Sequence, residues 1–492
     1  MSTKLFTIGD SIAQGFMSGA AARTELSFST LIARKMNLSN YLFPVWEAGG
    51  LPLNMEDVFR ALNKRYGSNI SGLEWLTFLP TINKVIDTSE EYYERGPGRA
   101  NLPYPGKVNY FHNVAVRGFD VTDSWKVTPE VAWNNIDNAI LQPGNDKFLA
   151  VADATLYRTA LKVLSPSLAR DNAGRFKQNF SQLDWLQYHS QKEGVENVCL
   201  WLGSNNALGT IVDLQIRQTP GDKSPVTKTH DERIANRWNL WHPTDFAVEY
   251  EEMLQRVHTI MSNQPEQTDW KVFLANVPLV TIAPLAKGVG PTTHIAGKGT
   301  YYKYYTYVPF DENFAVKTGR HLNLQQVLYI DDCIREYNII INRLVNQFNT
   351  LAGGKPRYFV VDMCSALQDM AWKRNDAQPT YKFPDYFSFV YPKVDTKYYH
   401  ADKEGQLKQG GLFSLDGVHP SAIGQGLVAT EFIKVMQAAG VKQVSLFTDQ
   451  EWEQIFKSDT LYSRPISLMG EIYEHTELAQ FVVQAAKFLN RS

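Results

Sequence analysis

Short, continuous apolar runs separated by helical patterns are the feature that most constrains the fold of this chain. Five runs are rich in β-branched and aromatic residues and end in a small or polar residue: 4–9 (KLFTIG), 109–118 (NYFHNVAVRG), 197–206 (NVCLWLGSNN), 269–278 (DWKVFLANVP) and 356–363 (PRYFVVDM). Strands that are apolar throughout are typical of parallel sheets, because helices cover both faces of such a sheet. The pattern therefore predicts an α/β fold built on a parallel sheet.

Helical patterns lie between and after these runs. Apolar side chains recur on one face of 329–349, and 420–440 begins with Pro-Ser, a favourable helix start, and ends at a glycine. Two more helices are expected in the last part of the chain, over the segments TDQEWEQIFKS and ELAQFVVQAAKFLN.

The length of 492 residues would by itself suggest two or three domains. The segments near 40–108, 207–250 and 285–325 are rich in aromatic residues, Pro and Gly, and none shows a run of strands of its own. We therefore interpret them as insertions. The prediction is one α/β domain over 1–440, followed by a helical extension over 441–492.

Composition argues against several classes of protein. The formal net charge of −2 lacks the basic footprint of a nucleic-acid-binding protein. The three cysteines are far apart and form no CxxC pair, so no metal site, redox dithiol or other cofactor is predicted. No stretch reaches the roughly 18–20 continuous apolar residues of a membrane helix, and no integral membrane segment is expected. The N-terminus lacks a basic segment followed by an apolar one, which predicts a cytoplasmic location unless a leader has been removed. The sequence does not indicate an oligomeric state.

The first apolar run delivers Ser11 to a strand-to-helix turn, in the stretch KLFTIGDSIAQGF (4–16). A serine at this position lies near the positive end of a helix dipole, and the nearby backbone N–H groups can stabilise an oxyanion. Ser and Asp are also favoured helix caps. From this segment alone, Ser11 can therefore be interpreted either as a nucleophile or as a structural helix cap.

A serine nucleophile needs a base, and the stretch SLDGVHPSAIGQG (414–426) offers one. Asp416 precedes His419 by three residues, so its carboxylate can accept a hydrogen bond from one ring nitrogen while the other acts as a general base. The alternative is an ordinary loop that precedes a helix cap.

Two further residues at strand ends could stabilise an oxyanion. Gly118 directly follows the second run, where the absence of a side chain lets its N–H approach a ligand. Asn205 follows the third run, and its amide can reach into the crevice where ligands of parallel sheets bind. Taken singly, each is more often a turn residue.

Together these segments resemble the blocks of the GDSL/SGNH hydrolase family. GDSIAQG resembles the first block, NVAVRG the second, GSNN the third and DGVHP the fifth. The resemblance implies Ser11 as nucleophile, His419 as base and Asp416 as the residue that orients the base. It also implies an oxyanion hole formed by the N–H groups of Ser11 and Gly118 and the side chain of Asn205, and a three-layer, flavodoxin-like α/β/α fold.

The implied activity is hydrolysis of a small-molecule carboxylic ester, of the esterase or lipase type, through an acyl-enzyme on Ser11. An acyltransferase that uses the same site, and a binding protein whose site has lost its activity, remain alternatives. The sequence departs from the family pattern in three respects: Asn206 stands where the third block usually has Asp, the spacings between the blocks are long, and the chain continues well past His419, to residue 492. The acyl and alcohol parts of the substrate cannot be inferred from the sequence.

Overall fold

The computed structural model of the protein describes residues 2–141, 151–265, 269–353, 355–473 and 476–491. The described strands are β1 (Phe6–Gly9), β2 (Ala20–Ala21), β3 (Leu51–Pro52), β4 (Asn197–Trp201), β5 (Lys271–Ala275), β6 (Ala286–Ile295), β7 (Gly299–Tyr307), β8 (Leu322–Asn323), β9 (Tyr358–Val361), β10 (His400–Ala401) and β11 (Leu407–Gln409). The described α-helices are α1 (Ser11–Gln14), α2 (Phe28–Lys35), α3 (Met55–Tyr66), α4 (Phe78–Glu94), α5 (Asp123–Lys126), α6 (Pro129–Leu141), α7 (Thr155–Leu164), α8 (Gln182–Lys192), α9 (Asn205–Asp213), α10 (His230–Ala235), α11 (Pro243–Ser262), α12 (Glu312–Thr318), α13 (Leu324–Leu351), α14 (Met363–Met370), α15 (Ala422–Ala438), α16 (Asp449–Ser458), α17 (Thr460–Ser463) and α18 (Thr476–Arg491).

A parallel sheet with the order β1-β4-β5-β9 forms the centre of the molecule, which confirms the predicted α/β class. The segment 112–116 runs along the other edge of β1. Thr7 N–H donates to His112 O at 2.8 Å, and Val114 N–H donates to Thr7 O at 3.0 Å. With this segment included, the strands lie in the order 2-1-3-4-5 along the chain. The strand predicted over 109–118 is reduced to this edge segment, because only its middle part reaches β1.

Alternate residues of the sheet face two separate apolar cores, as the period of two of a strand requires. Phe6, Ile8 and Leu200 lie in one core, which includes side chains of α8, α11 and α13. Cys199 and Phe273 lie in the other core, with side chains of α2 and α15. Helices therefore cover both faces of the sheet, which explains why its strands are apolar throughout.

The predicted helices are present and differ only at their ends. The helix expected over 329–349 is α13, which begins five residues earlier, after an Asn323 cap. The helix expected over 420–440 is α15, and the side chain of Ser421 caps it by accepting from Gly424 N–H at 3.2 Å. Both helices expected in the C-terminal extension are found as α16 and α18.

The insertion near 285–325 differs from the expectation that it has no strands of its own. Strands β6, β7 and β8 form a three-stranded antiparallel sheet within it. The physical reason is the composition of β7, which is rich in tyrosine and threonine, residues that favour strands, and which buries the rings of Tyr301 and Tyr305.

The C-terminal extension packs onto the rest of the chain. Helix α18 contacts α9, and its apolar side chains share a third core with those of α3 and α4, which belong to the insertion near 40–108. Among the helices within the described ranges, none combines the length and the apolarity needed to cross a bilayer.

Candidate active site

Side chains from opposite ends of the chain meet beyond the carboxyl end of β1. Ser11 begins α1 directly after β1, and Asp416 and His419 lie in the loop before α15. His419 Nε2 is 2.8 Å from Ser11 Oγ, and His419 Nδ1 is 3.1 Å from Asp416 Oδ2. The structure thus places all three residues in one continuous chain of hydrogen bonds.

The turn that presents Ser11 is tight. Asp10 caps the short helix α1, since its Oδ1 accepts from Ile12 N–H at 3.0 Å. A Cβ at Gly9 would lie 2.6 Å from Ala13 Cβ and 2.9 Å from Trp201 O, so only glycine permits this approach. The strand therefore ends directly in the helix that carries Ser11.

Asp416 is held by backbone donors on both carboxylate oxygens. Its Oδ1 accepts from the N–H groups of Val418 and His419, each at 2.8 Å, and its Oδ2 accepts from Gly19 N–H at 2.9 Å. Gly19 has φ +84°, and a Cβ there would lie 2.6 Å from Leu53 O. Only glycine can therefore bring this donor to the carboxylate.

The charge of Asp416 determines which ring nitrogen of His419 carries the proton. Burial raises the pKa of Asp416, but the charge of His419 and the hydrogen bonds to the carboxylate outweigh burial and lower that pKa below its usual value. An ionised carboxylate can only accept hydrogen bonds. In the neutral imidazole the proton is therefore on Nδ1, and Nε2 is free to accept the hydroxyl proton of Ser11.

Packing fixes the two partners relative to each other. The ring of His419 lies against the ring of Phe16, with 4.6 Å between centroids. Gln425 of α15 donates to the carbonyl oxygen of Ile12 at 3.0 Å, which ties the helix after His419 to the helix that begins at Ser11. Ser11 and His419 are only 5% and 3% exposed.

Gly118 lies in a turn at the end of the edge segment. Phe119 N–H points back to Val116 O at 3.4 Å, and Gly118 has φ +76°, the left-handed conformation that the third residue of a type II turn requires. Arg117 N–H donates to Gln14 Oε1 at 3.0 Å, which ties this turn to α1. Gly118 N–H donates to no acceptor among the described residues.

Asn205 begins α9, shortly after β4. Its Nδ2 donates to Phe119 O at 2.8 Å and lies 3.4 Å from Asp10 Oδ2. The side chain thus joins the turn at Gly118 to the turn at Ser11. Within the described part of the chain, Ser11 N–H also has no hydrogen-bond acceptor.

Asp10 is a site residue whose role the sequence did not reveal beyond that of a cap. Burial raises its pKa to about 7, although Ile12 N–H and the charge of His419 both act in the opposite direction. Its hydrogen bond from Asn205 and its electrostatic interaction with His419 form only in the fold, so the local sequence carried no signal for them.

Asn206, which stands where the third block of the resembled family usually has Asp, makes two hydrogen bonds that suit an amide. Its Oδ1 accepts from Val121 N–H at 3.4 Å, and its Nδ2 donates to Glu249 Oε2 at 3.3 Å. Burial raises the pKa of Glu249 to about 8. An aspartate at 206 would place a second carboxylate beside Glu249, whereas the amide supplies a donor.

A second cluster of ionisable side chains follows the turn at Gly118. Asp120, Asp123 and His230 offer ligand atoms within 4.8 Å of one another. Arg233 Nε donates to Asp120 Oδ2 at 2.8 Å, and its Nη2 pairs with Asp123. The guanidinium supplies the positive charge that the two carboxylates need, and the network ties the chain after Gly118 to α10.

No protein-family model matches the chain, and no curated protein matches its sequence significantly. The basis for a function is therefore the arrangement of Ser11, His419 and Asp416 together with the N–H donors around them.

Proposed function

We propose that the protein is a serine esterase of the GDSL/SGNH type, which cleaves carboxylic esters through an acyl-enzyme on Ser11. The observation that carries the proposal is the continuous hydrogen-bonded chain from Asp416 through His419 to Ser11, with distances of 3.1 Å and 2.8 Å. A nucleophile, a base and a carboxylate that orients the base are the three parts that acyl transfer from an ester requires.

The position of these hydrogen-bonded side chains relative to the sheet supports the same proposal. A strand order of 2-1-3-4-5 is that of flavodoxin-like folds, in which ligands bind beyond the carboxyl ends of the strands, where the order reverses. In this protein the reversal lies between β1 and β4. Ser11 follows β1 and Asn205 follows β4, so both lie at the crevice that such folds use. We include the three-layer, flavodoxin-like architecture in the proposal.

The proposed reaction begins when Ser11 Oγ attacks the ester carbonyl and its proton moves to His419 Nε2. The negative charge of Asp416 stabilises the resulting imidazolium. The imidazolium then gives its proton to the leaving alcohol, and the acyl group remains on Ser11. Water, deprotonated by His419, attacks the acyl-enzyme, and the proton returns to Ser11 as the acid leaves.

The carbonyl oxygen becomes an oxyanion in both steps and needs donors that are already in place. The N–H groups of Ser11 and Gly118 are proposed as two of these donors, since neither has an acceptor among the described residues. Asn205 Nδ2 is proposed as the third. At 3.4 Å, the hydrogen bond from this nitrogen to Asp10 is long and therefore weak, so an oxyanion can take the place of Asp10 as the acceptor.

An apolar cavity bordered by the sequence neighbours of Ser11 and His419 suggests the acyl group. The cavity has a volume of about 80 Å³, and its lining includes Ile12 and Val418, the neighbours of Ser11 and His419 in sequence. The rest of its lining is also almost entirely apolar. A short aliphatic acyl chain fits a small cavity of this character better than a charged or long one.

The proposal is tested by the hydrolysis of p-nitrophenyl acetate, butyrate, octanoate and palmitate, with Ser11→Ala as the control. We expect the wild-type protein to cleave the two short esters faster than palmitate, and Ser11→Ala to cleave none above background. Equal rates for wild type and Ser11→Ala would contradict the proposal. Added alcohols would reveal acyl transfer as a new ester product at the expense of the free acid.

A further inference from the structure

A pocket outside the proposed active site is lined by three lysines and by no carboxylate. It lies between the antiparallel sheet of the insertion near 285–325 and the segment 396–400, and its volume is about 380 Å³. That volume is within the range of roughly 300–1,000 Å³ of small-molecule sites. Its cationic lining consists of Lys287, Lys373 and Lys397.

The ammonium groups of Lys287 and Lys373 keep donors for a ligand. Lys373 Nζ donates to the carbonyl oxygens of Ala283 at 2.9 Å and Ala286 at 2.6 Å, which leaves one of its three N–H bonds. Lys287 Nζ donates to Phe310 O at 3.2 Å, which leaves two. All these partners are neutral carbonyls, so the two positive charges have no counterion in direct contact among the described residues.

The surroundings disfavour the charged form of both lysines, although Asp331 acts in the opposite direction on Lys373 and Asp311 does so on Lys287. Burial, together with the neighbouring charge of Arg374, lowers the pKa of Lys373 well below its usual value, and burial also lowers the pKa of Lys287. The carboxylate of Asp395 is 3.6 Å from Lys397 Nζ, so it pairs with this third lysine of the pocket and not with Lys287 or Lys373. An anion in the pocket would supply the missing negative charge.

The remaining walls of the pocket suit an apolar or aromatic body. Trp372 and Tyr302 line it, and Tyr302 packs so closely on the backbone that a Cβ at Gly288 would lie 2.2 Å from its ring. Lys397 Nζ is 4.3 Å from the centroid of the Trp372 ring, so the indole lies directly beside one of the three positive charges.

We propose that this pocket binds a small organic anion, with a phosphate or carboxylate group on Lys287 and Lys373 and an apolar or aromatic part against Trp372 and Tyr302. The site is distinct from the proposed nucleophile, so the proposal does not depend on esterase activity. One of its walls is nevertheless bonded to the residue before Asp416, since Tyr398 Oη donates to Leu415 O at 2.5 Å.

The test is calorimetric titration of the full chain, carrying Ser11→Ala to prevent turnover, with phenyl phosphate, benzoate and the uncharged benzyl alcohol. We expect at least one anion to bind with a Kd near or below about 1 mM, and benzyl alcohol to bind much more weakly. Binding of phenyl phosphate alone would assign a phosphate ligand, whereas binding of benzoate would assign a carboxylate. Absence of binding by both anions overturns the proposal.

Charge-removing variants locate the binding. Lys287→Met and Lys373→Met should each weaken binding of the anion roughly tenfold or more, the usual cost of losing a hydrogen bond to a charged group. Lys442→Met, at an exposed lysine far along the chain, is the matched control and should leave the Kd unchanged. If Lys373→Met fails to fold because two carbonyls lose their donor, Lys287→Met decides alone. A wild-type Kd in the folded Lys287→Met protein overturns the proposal.

Discussion

Replacing Asp416 by Asn removes a charge from the site without changing the shape of the side chain. Oδ1 remains and still accepts from Val418 and His419. The new NH₂ group, however, replaces the oxygen that accepts from Gly19 N–H at 2.9 Å and from the ring Nδ1 at 3.1 Å. Two donors would then face each other, so the imidazole must move its proton to Nε2. Nε2–H points at Ser11 Oγ and can no longer accept the hydroxyl proton.

The expected loss of transition-state stabilisation in Asp416→Asn has two parts. The charge-assisted hydrogen bond from the imidazolium to Asp416 contributes about 1.5–3 kcal/mol, and the wrong tautomer of His419 adds the cost of restoring the right one. We expect kcat to fall about 10⁴-fold, or about 5 kcal/mol at 1.36 kcal/mol per tenfold. Ser11→Ala should cost more, about 10⁶-fold, because a misoriented base retains some activity that a missing nucleophile does not.

The assay is steady-state hydrolysis of p-nitrophenyl butyrate by the wild type and each variant, with folding checked by circular dichroism. Asp459→Asn is a matched control, because Asp459 is also a buried carboxylate that accepts two backbone N–H groups, those of Ile423 and Tyr462, at 3.1 Å each. Its kcat should remain that of the wild type. An Asp416→Asn protein that is folded and within about tenfold of wild-type kcat would refute the orienting role.

Three further predictions concern residues around the proposed nucleophile. Asn205→Ala should lower kcat by about 10²–10³ with little change in KM, because it removes one oxyanion donor. Steady-state ester kinetics measure both constants. An unchanged kcat would exclude the side chain from the reaction. Gly118→Ala should lower both the melting temperature and kcat. The residue has φ +76°, a conformation that costs a residue with a Cβ about 1–2 kcal/mol, and the new Cβ would lie 3.0 Å from Leu156 Cδ1. A melting curve that matches wild type would contradict the strained geometry. The pKa of Asp10 is raised from 3.8 to about 7, so between these values the folded state holds more protons than the unfolded state. Wild type should therefore lose about 3 kcal/mol relative to Asp10→Asn as the pH rises from about 4 to about 7. Thermal unfolding midpoints of the two proteins across this range test the sign, and parallel curves would show that Asp10 does not titrate there.

The central sheet and the stretches around Ser11 and His419 could be predicted because their signals are local. An apolar run of four to six residues reports burial on both faces of a sheet, and Asp416 is near enough to His419 in sequence for their contact to follow from spacing alone. The Ser11–His419 pair is not local, and only the resemblance of both segments to one family indicated that they meet.

Other parts of the structure left no local signal. Gly19 donates to Asp416 across 397 residues, and nothing in its own neighbourhood marks it as a partner of a carboxylate. The ion pairs of Arg233 with Asp120 and Asp123 join the chain after Gly118 to a helix more than a hundred residues away. The strands of the insertion near 285–325 left no clear signal because burial along β7 does not alternate: Tyr301 and Tyr305 are buried, whereas Lys303, on the same face of a regular strand, is exposed.

The most direct measurement of the central claim is labelling of the intact protein with a serine-reactive fluorophosphonate, followed by mass spectrometry of its peptides. We predict one adduct, on Ser11, which is absent from Ser11→Ala and forms more slowly in Asp416→Asn. A folded wild-type protein that takes up no label on Ser11, or that takes it up as fast without Asp416 as with it, would contradict the claim that Ser11 is a nucleophile activated by His419.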